Sequence, residues 1–194
     1  MRSFVISGTT IYIGGDFSSV GGLPRDGLAA LDLTTGQVTD WNPLPYGQVY
    51  GTIRTMARAG NTLYVGGDLQ ITGEQERRNL AAVDIATGTL LPWAPRPSLP
   101  VNTMVVSGGK LYVGGEFSTI NDESHKCLAA FDLSTGQLLP WKPAERGCIE
   151  VKALTVSGDT LYAGGDFYMM DGQERNNLAA IDLNTDNDSL EPRF

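Results

Sequence analysis

The chain has 194 residues, with 14 Lys and Arg against 22 Asp and Glu, a formal net charge of −8 and a sequence pI near 4.5. Binding to nucleic-acid phosphates or to anionic lipids requires basic surfaces, so this acidic composition argues against both classes of partner. No apolar run reaches 18 residues, so the sequence predicts no membrane-spanning helix.

A string of the form Gly-Gly-acid-apolar recurs along the chain at spacings of 52, 48 and 50 residues. Its four copies begin at Gly14, Gly66, Gly114 and Gly164. Self-similarity at such a period is the signature of tandem repeats that stack into one domain, here residues 1–194. The predicted repeats are 1–50, 51–99, 100–148 and 149–194.

Each repeat presents the same elements in the same order. An alternating apolar stretch predicts strand A, and a Ser-Gly or Ala-Gly turn joins it to strand B, which runs through Leu-Tyr-Val or a close relative into the string. About ten polar residues later, Leu-Ala-Ala-x-Asp predicts strand C. An Asp-x-x-Thr-Gly turn, fixed by its Asp side chain, then leads into a Trp-bearing strand D.

Strands B and C are apolar on both faces, as sheets packed between two neighbours require. No window shows helical periodicity over ten or more residues, so no long helix is expected. Four short strands in a repeat of about 50 residues predict an all-β fold, a β-propeller of four tandem four-stranded blades. Strand A is expected nearest the axis and strand D outermost.

The composite motif V-x-A-L-x-V-S-G-x-T-L-Y-V-G-G-D-F, followed by R-x-x-L-A-A-x-D-x-x-T-G-x-L-x-P-W-x-P, resembles the bacterial delta-60-type propeller repeat over essentially the whole chain. It is more distantly similar to WD repeats. The resemblance implies a secreted or cell-surface protein, and it brings no known activity, cofactor or catalytic residue. Because strand-like sequence follows Met1 almost at once, no secretory signal is expected within this chain. The fourth repeat departs from the motif: Arg193 stands where the others have Trp41, Trp93 and Trp141.

The acid of each string has a basic residue nine positions later. The B–C loop can fold back so that the two side chains meet, which predicts a structural ion pair in every repeat rather than a ring of functional charge. The predicted pairs are Asp16/Arg25, Asp68/Arg77, Glu116/His125 and Asp166/Arg175.

Cysteine occurs only twice, at the start of strand C in the third repeat and in the linker that leads to the fourth. The topology brings Cys127 and Cys148 to the same end of the sheets, which predicts a disulfide; two free buried thiols are the alternative. A bridge would support an oxidising compartment.

Oxygen-bearing side chains cluster near the end of the chain, at Asp182, Asn184, Asp186 and Asp188. They form a weak calcium candidate, because a calcium loop would place carboxylates where Leu190 and Arg193 stand. A solvated turn is the favoured interpretation. The Trp and strand-B Tyr residues recur with the repeat and are expected to pack rather than to form a ligand cage.

With one histidine and no convergent nucleophile–base pair, the sequence favours a non-enzymatic protein without cofactors. The leading hypothesis is an extracellular module that binds or scaffolds a protein or glycan. A carbohydrate-active propeller enzyme, either a glycosidase or a lyase, is one alternative, and a structural fragment of a longer propeller is another. For the chain ends, two chains completing one larger ring stand against a closed four-bladed monomer.

Overall fold

The computed structural model describes residues 1–43, 49–72, 76–144 and 146–184. They form strands, turns and loops, with no helix among them, so the all-β prediction is confirmed. No helix capable of crossing a membrane is found in this described part of the chain. Two compact units divide the molecule, Met1–Val101 and Asn102–Phe194.

Sheets 1 and 2 are three-stranded and antiparallel, and strand B lies at the centre of each. Sheet 1 consists of β1 (Ser3–Ser7), β2 (Thr10–Gly14) and β5 (Leu28–Asp32), with a small hairpin of β3 (Ser19–Val20) and β4 (Leu23–Pro24) in its B–C loop. Sheet 2 consists of β6 (Val49–Ala59), β7 (Thr62–Ile71) and β8 (Arg77–Asp84).

Sheets 3 and 4 repeat this order. Sheet 3 consists of β9 (Val101–Ser107), β10 (Lys110–Gly115) and β13 (Leu128–Asp132), with the hairpin β11 (Thr119–Ile120) and β12 (Glu123–Ser124). Sheet 4 consists of β14 (Cys148–Ser157), β15 (Thr160–Phe167) and β18 (Leu178–Asp182), with the hairpin β16 (Met169–Met170) and β17 (Gln173–Glu174).

Where the structure describes it, the fourth strand of the repeat is much shorter than the sequence predicts. In the first three repeats it makes one isolated bridge to strand C. The bridges are Leu31 to Val38, Val83 to Leu90 and Phe131 to Leu138. Pro92 and Pro140 follow in the second and third repeats, and proline has no N–H to extend a ladder. We call the stretch from the bridge residue to the Trp the D segment, which is 38–41, 90–93 and 138–141 in the first three repeats. The D segment of the fourth repeat lies outside the described residues.

The turn before the D segment is fixed by its Asp side chain, as the sequence predicts. In the third repeat, Asp132 Oδ1 accepts hydrogen bonds from the N–H groups of Ser134 and Thr135, at 2.9 and 2.8 Å, and from both hydroxyls. These donors, led by the Ser134 hydroxyl, lower the pKa of Asp132 to about 2. Asp32 and Asp84 hold equivalent turns and also have lowered pKa values.

Strands B and C supply the buried core on both of their faces, for example Leu63 and Val83 on one face of sheet 2 and Leu80 and Ala82 on the other. The A strands of successive sheets touch within each unit. Ser3 Oγ accepts the Met56 N–H at 3.0 Å, and Thr103 Oγ1 accepts the Leu154 N–H at 3.1 Å. The A strands therefore lie side by side in the first unit, and again in the second.

Candidate functional site

The B–C loop of each repeat closes onto the end of strand B. In the first repeat, the Gly15 N–H donates to the Gly27 carbonyl at 3.0 Å, and the Gly27 N–H donates to the Phe17 carbonyl at 2.9 Å. The same two bonds recur around Cys127 and Asn177. The residue at this repeat position has a positive φ in all four repeats: Gly27 70°, Asn79 61°, Cys127 56° and Asn177 67°.

That closure directs the basic residues away from the acids predicted to pair with them. Arg25 is buried and donates from Nη2 to the Thr39 carbonyl of the D segment at 2.8 Å. Buried Arg77 likewise reaches the carbonyls of Leu91 at 2.8 Å and Trp93 at 3.1 Å. The D segment forms only one ladder bridge, so its carbonyls need other donors. The predicted pairs Asp16/Arg25 and Asp68/Arg77 are thus replaced by contacts between arginine and backbone.

The third and fourth repeats vary this arrangement. His125 is 1% exposed and faces the D segment. It lies beside the Trp141 carbonyl, but neither ring nitrogen makes a hydrogen bond of ordinary geometry to it. Burial, followed by the charge of Lys142, lowers the pKa of His125. Exposed Arg175 donates to the Glu174 carbonyl and to the Gln173 side chain. Neither of these basic residues pairs with the string acid of its repeat, so the predicted pairs Glu116/His125 and Asp166/Arg175 are also corrected.

Asp68 and Glu116 instead face residues of strand A. In the first unit, Arg54 Nη2 lies 4.0 Å from Asp68 Oδ2. In the second, Asn102 Nδ2 donates to Glu116 Oε1 at 3.5 Å. We call the set in each unit the polar row of that unit; the polar row of the second unit also includes Glu150, Lys152 and Asp166.

The polar row of the second unit is the denser one. The Asn102 amide also donates to Glu150 Oε2 and to the Val151 carbonyl, both at 3.4 Å. Lys152 Nζ lies 2.7 Å from Glu150 Oε1. The hydrogen bond to Glu150 and the charges of Glu150 and Asp166 raise the pKa of Lys152, which remains a cation at neutral pH. Glu150 lies within β14, opposite Asp166.

β-Bulges place the cations of both polar rows. The register of β6 against β7 skips Arg54, and that of β14 against β15 skips Lys152. A bulge re-aims a side chain, and bulges are frequent beside functional sites. Sequence reasoning missed these residues, although a signal exists: Arg54, Asn102 and Lys152 occupy the same repeat position, each next to a buried Ile or Val.

The recurring aromatic residues pack within their own repeats. In the first three repeats, the strand-B Tyr meets the D-segment Trp edge-on, with ring centroids 4.9 to 5.4 Å apart. The pairs are Tyr12/Trp41, Tyr64/Trp93 and Tyr112/Trp141. Edge-to-face pairs of this kind stabilise a core, so these rings fasten the D segment to the sheet.

Cys127 and Cys148 are joined in a disulfide, with their Cα atoms 6.4 Å apart and a sequence separation of 21. The bond ties the B–C loop of sheet 3 to the first residue of β14. It therefore cross-links two consecutive repeats of the second unit.

The calcium candidate is only partly described. Asp182 ends β18 and accepts the Asn184 N–H at 2.9 Å, a local turn contact, while Asp186 and Asp188 lie outside the described residues. Across the described ranges, no three His, Cys, Asp or Glu side chains are grouped as metal ligands.

The polar row combines hydrogen-bond donors, hydrogen-bond acceptors and charged groups. In the second unit it offers carboxylates, an amide and an ammonium group side by side, a set that suits ligands rich in hydroxyl or peptide groups. Between the described residues we find no nucleophile held by a base of the kind that covalent catalysis requires.

Comparisons with known proteins agree with the fold. Residues 2–138 match the family model PQQ_2, described as "Outer membrane protein assembly factor BamB", which is a β-propeller-type repeat. Among solved structures, the crystal structure of the computationally designed Ika4 protein aligns with a TM-score of 0.56 and 16% identity, over 94% of this chain and 90% of that one. No curated protein matches the sequence. Because the family match covers more than half of its residues, the chain belongs to this BamB-type β-propeller family.

Proposed function

We propose that the chain is a non-enzymatic module of four propeller repeats that binds a protein or a glycan at the polar row of the second unit. The observation that carries the proposal is the Asn102 amide shared by Glu116 and Glu150, with Lys152 beside them. These groups are held by backbone and bulge geometry, so a ligand would meet a preorganised set of donors and acceptors.

Two observations support a location outside the cytoplasm, on the cell surface or secreted. The Cys127–Cys148 disulfide fits an oxidising compartment. The delta-60-type motif is the finer resemblance and points to surface and secreted proteins. The family description names outer membrane protein assembly, which favours a polypeptide ligand in the cell envelope over a glycan.

The proposal can be tested by screening the chain against extended peptides and a glycan array. Binding should weaken at least tenfold in Glu150→Gln, because the variant loses the anion that Lys152 and Asn102 hold. Glu174→Gln, an exposed acid on the β17 hairpin, is the matched control and should bind like the original. Binding that both variants retain in full would exclude the polar row as the site.

A glycosidase is the second candidate, and one contact favours it. Glu116 and Glu150 accept from the same amide, so their oxygens lie no more than about 7 Å apart, a limit that is compatible with the carboxylate pairs of glycosidases. Turnover of model glycosides that disappears in Glu150→Gln but persists in Glu174→Gln would establish this alternative. Glycan binding without turnover would leave the binding module in place.

A further inference from the structure

One face of sheet 4 is uncovered where the equivalent faces of the other sheets are buried. Leu178 is 67% exposed, whereas its counterparts in the other repeats are at most 1% exposed. Those counterparts are Leu28, Leu80 and Leu128. Ala180 and Tyr162 on the same face are exposed too. The fourth repeat thus displays an apolar surface that its homologous repeats use for packing.

The first glycine of the string shows what normally covers this face. A Cβ placed on Gly14 would lie 2.7 Å from Ile53 Cγ2, and one on Gly114 would lie 2.7 Å from Val151 Cγ1. Gly66 is met in the same way by Val101, at 2.9 Å. The regular occupant is therefore a β-branched residue of strand A in the following repeat. The nearest atom to a Cβ on Gly164 is the Asn177 carbonyl oxygen, at 3.8 Å.

Sheet 1 exposes apolar residues of strand A, the strand that covers this face in the other repeats. Phe4 and Ile6 of β1 are 56% and 52% exposed. Phe4 occupies the repeat position of Met56 and Leu154, whose side chains approach Gly14 and Gly114. On the same sheet, Ile13 is half-buried, whereas its counterparts on the other B strands are fully buried.

We propose that sheet 4 of one copy docks on sheet 1 of a second copy, and that the reciprocal contact closes a ring of two chains. Each chain carries both halves of an interface that its own repeats already use, so a second copy supplies the matching surface. Two identical contacts would cover both exposed faces.

Two departures affect the strength of this contact. In sheet 1, Met1 stands where the β-branched residues Ile53, Val101 and Val151 stand in the other repeats. The other departure concerns a hydrogen bond. Ser3 and Thr103 provide the hydroxyls that accept an N–H from the next A strand, but Ala153 stands at that position in sheet 4. The contact between copies therefore lacks a hydrogen bond that contacts within the chain have. Ala153 is exposed, so Ala153→Thr can supply the hydroxyl and should tighten the dimer several-fold.

Light scattering coupled to size exclusion tests the pairing directly. The 20.8-kDa chain should elute with twice its monomer mass, and Leu178→Glu should elute as a monomer with an unchanged circular dichroism spectrum. Ile149→Glu changes an equally exposed residue outside the face and should remain dimeric. A monomeric wild type, whether closed on itself or left with open ends, or a dimeric Leu178→Glu variant would overturn the proposal.

Mixing variants tests the head-to-tail arrangement. Phe4→Glu and Leu178→Glu should each be monomeric, but their mixture should form a heterodimer, because one intact pair of faces remains. Native mass spectrometry distinguishes that species from either homodimer. If the two variants fail to associate, or if Ala153→Thr does not tighten the wild-type dimer, the proposed contact is wrong.

Discussion

His125 stands at the position that arginine occupies in the other three repeats, and this difference makes the stability of the fold depend on pH. Arg25 and Arg77 reach D-segment carbonyls as permanent cations, whereas buried His125 is held neutral. Its pKa is lowered in the folded chain, so its neutral form contributes stability above the unfolded pKa near 6.5. That stability is lost as the pH falls through the folded pKa.

His125→Arg should therefore remove an acid-linked loss of stability from the second unit. We expect wild type to lose free energy of unfolding between pH 7.5 and pH 5, and the variant to lose less, because arginine stays charged throughout. Urea unfolding at both pH values measures the difference. Equal losses in the two proteins would show that His125 does not titrate during unfolding.

Arg77 tests the replacement of the predicted ion pair by backbone contacts. Arg77→Leu should lower the free energy of unfolding by about 2–3 kcal/mol, because it leaves D-segment carbonyls without their donor. Asp68→Asn should cost much less, since Asp68 is exposed and lies 4.0 Å from Arg54 instead. Denaturant titration compares the two. Equal losses would restore the ion-pair interpretation.

At the scale of the element, the sequence predicts strands A to C and the Asp turn well, because both depend on local patterns. Strand D was overestimated, since proline and a single bridge end the ladder at Leu90 and Leu138. The polar rows were missed for a different reason. The shared repeat position of Arg54 and Lys152 is visible in the sequence, but their location on bulges is not, because a bulge is a property of the pairing between two strands.

The Asp132 turn should make an acid-dependent contribution to stability. A carboxylate whose pKa is lowered to about 2 stabilises the fold above its unfolded pKa, and this effect is lost as the pH falls through the folded value. Asp132→Ala should lower the Tm by a few degrees at pH 6, with the gap to wild type closing toward pH 2. Differential scanning calorimetry gives both values, and a gap independent of pH would contradict the role of the charge.

Removing the disulfide should destabilise the second unit by about 3 kcal/mol, as expected for a closed loop of about 20 residues. Cys148→Ser breaks the bond and leaves the positive φ of Cys127 in place. The double variant Cys127→Gly/Cys148→Ser should recover part of the loss, because glycine adopts that φ freely. Identical stability of the two variants would mean that the backbone at residue 127 is not strained.

At the scale of the molecule, the period of the string was enough to predict a β-propeller-type repeat, and the family match confirms that class. Which faces are left uncovered could not be read from the sequence, because Leu178 and its buried counterparts are the same residue in the same motif. Exposure depends on what lies on the far side of the sheet, and composition does not record it.

A ring of two chains also predicts a Tm that depends on protein concentration. Association stabilises the folded state by mass action, so wild type should melt higher at 100 μM than at 1 μM. Leu178→Glu should melt at one temperature at both concentrations. Scanning fluorimetry measures both, and a concentration-independent wild-type Tm would argue against coupled association.

The left-handed residue that closes each B–C loop restricts how the repeats can exchange sequence. Gly27, Asn79 and Asn177 tolerate that conformation, so recombination between those repeats carries little penalty. Cys127 without Cys148 would bring roughly 1–2 kcal/mol of backbone strain with no compensating bond. We therefore expect the two cysteines to be gained or lost together in evolution. Glycine or asparagine at this position can instead be exchanged between repeats without a second substitution.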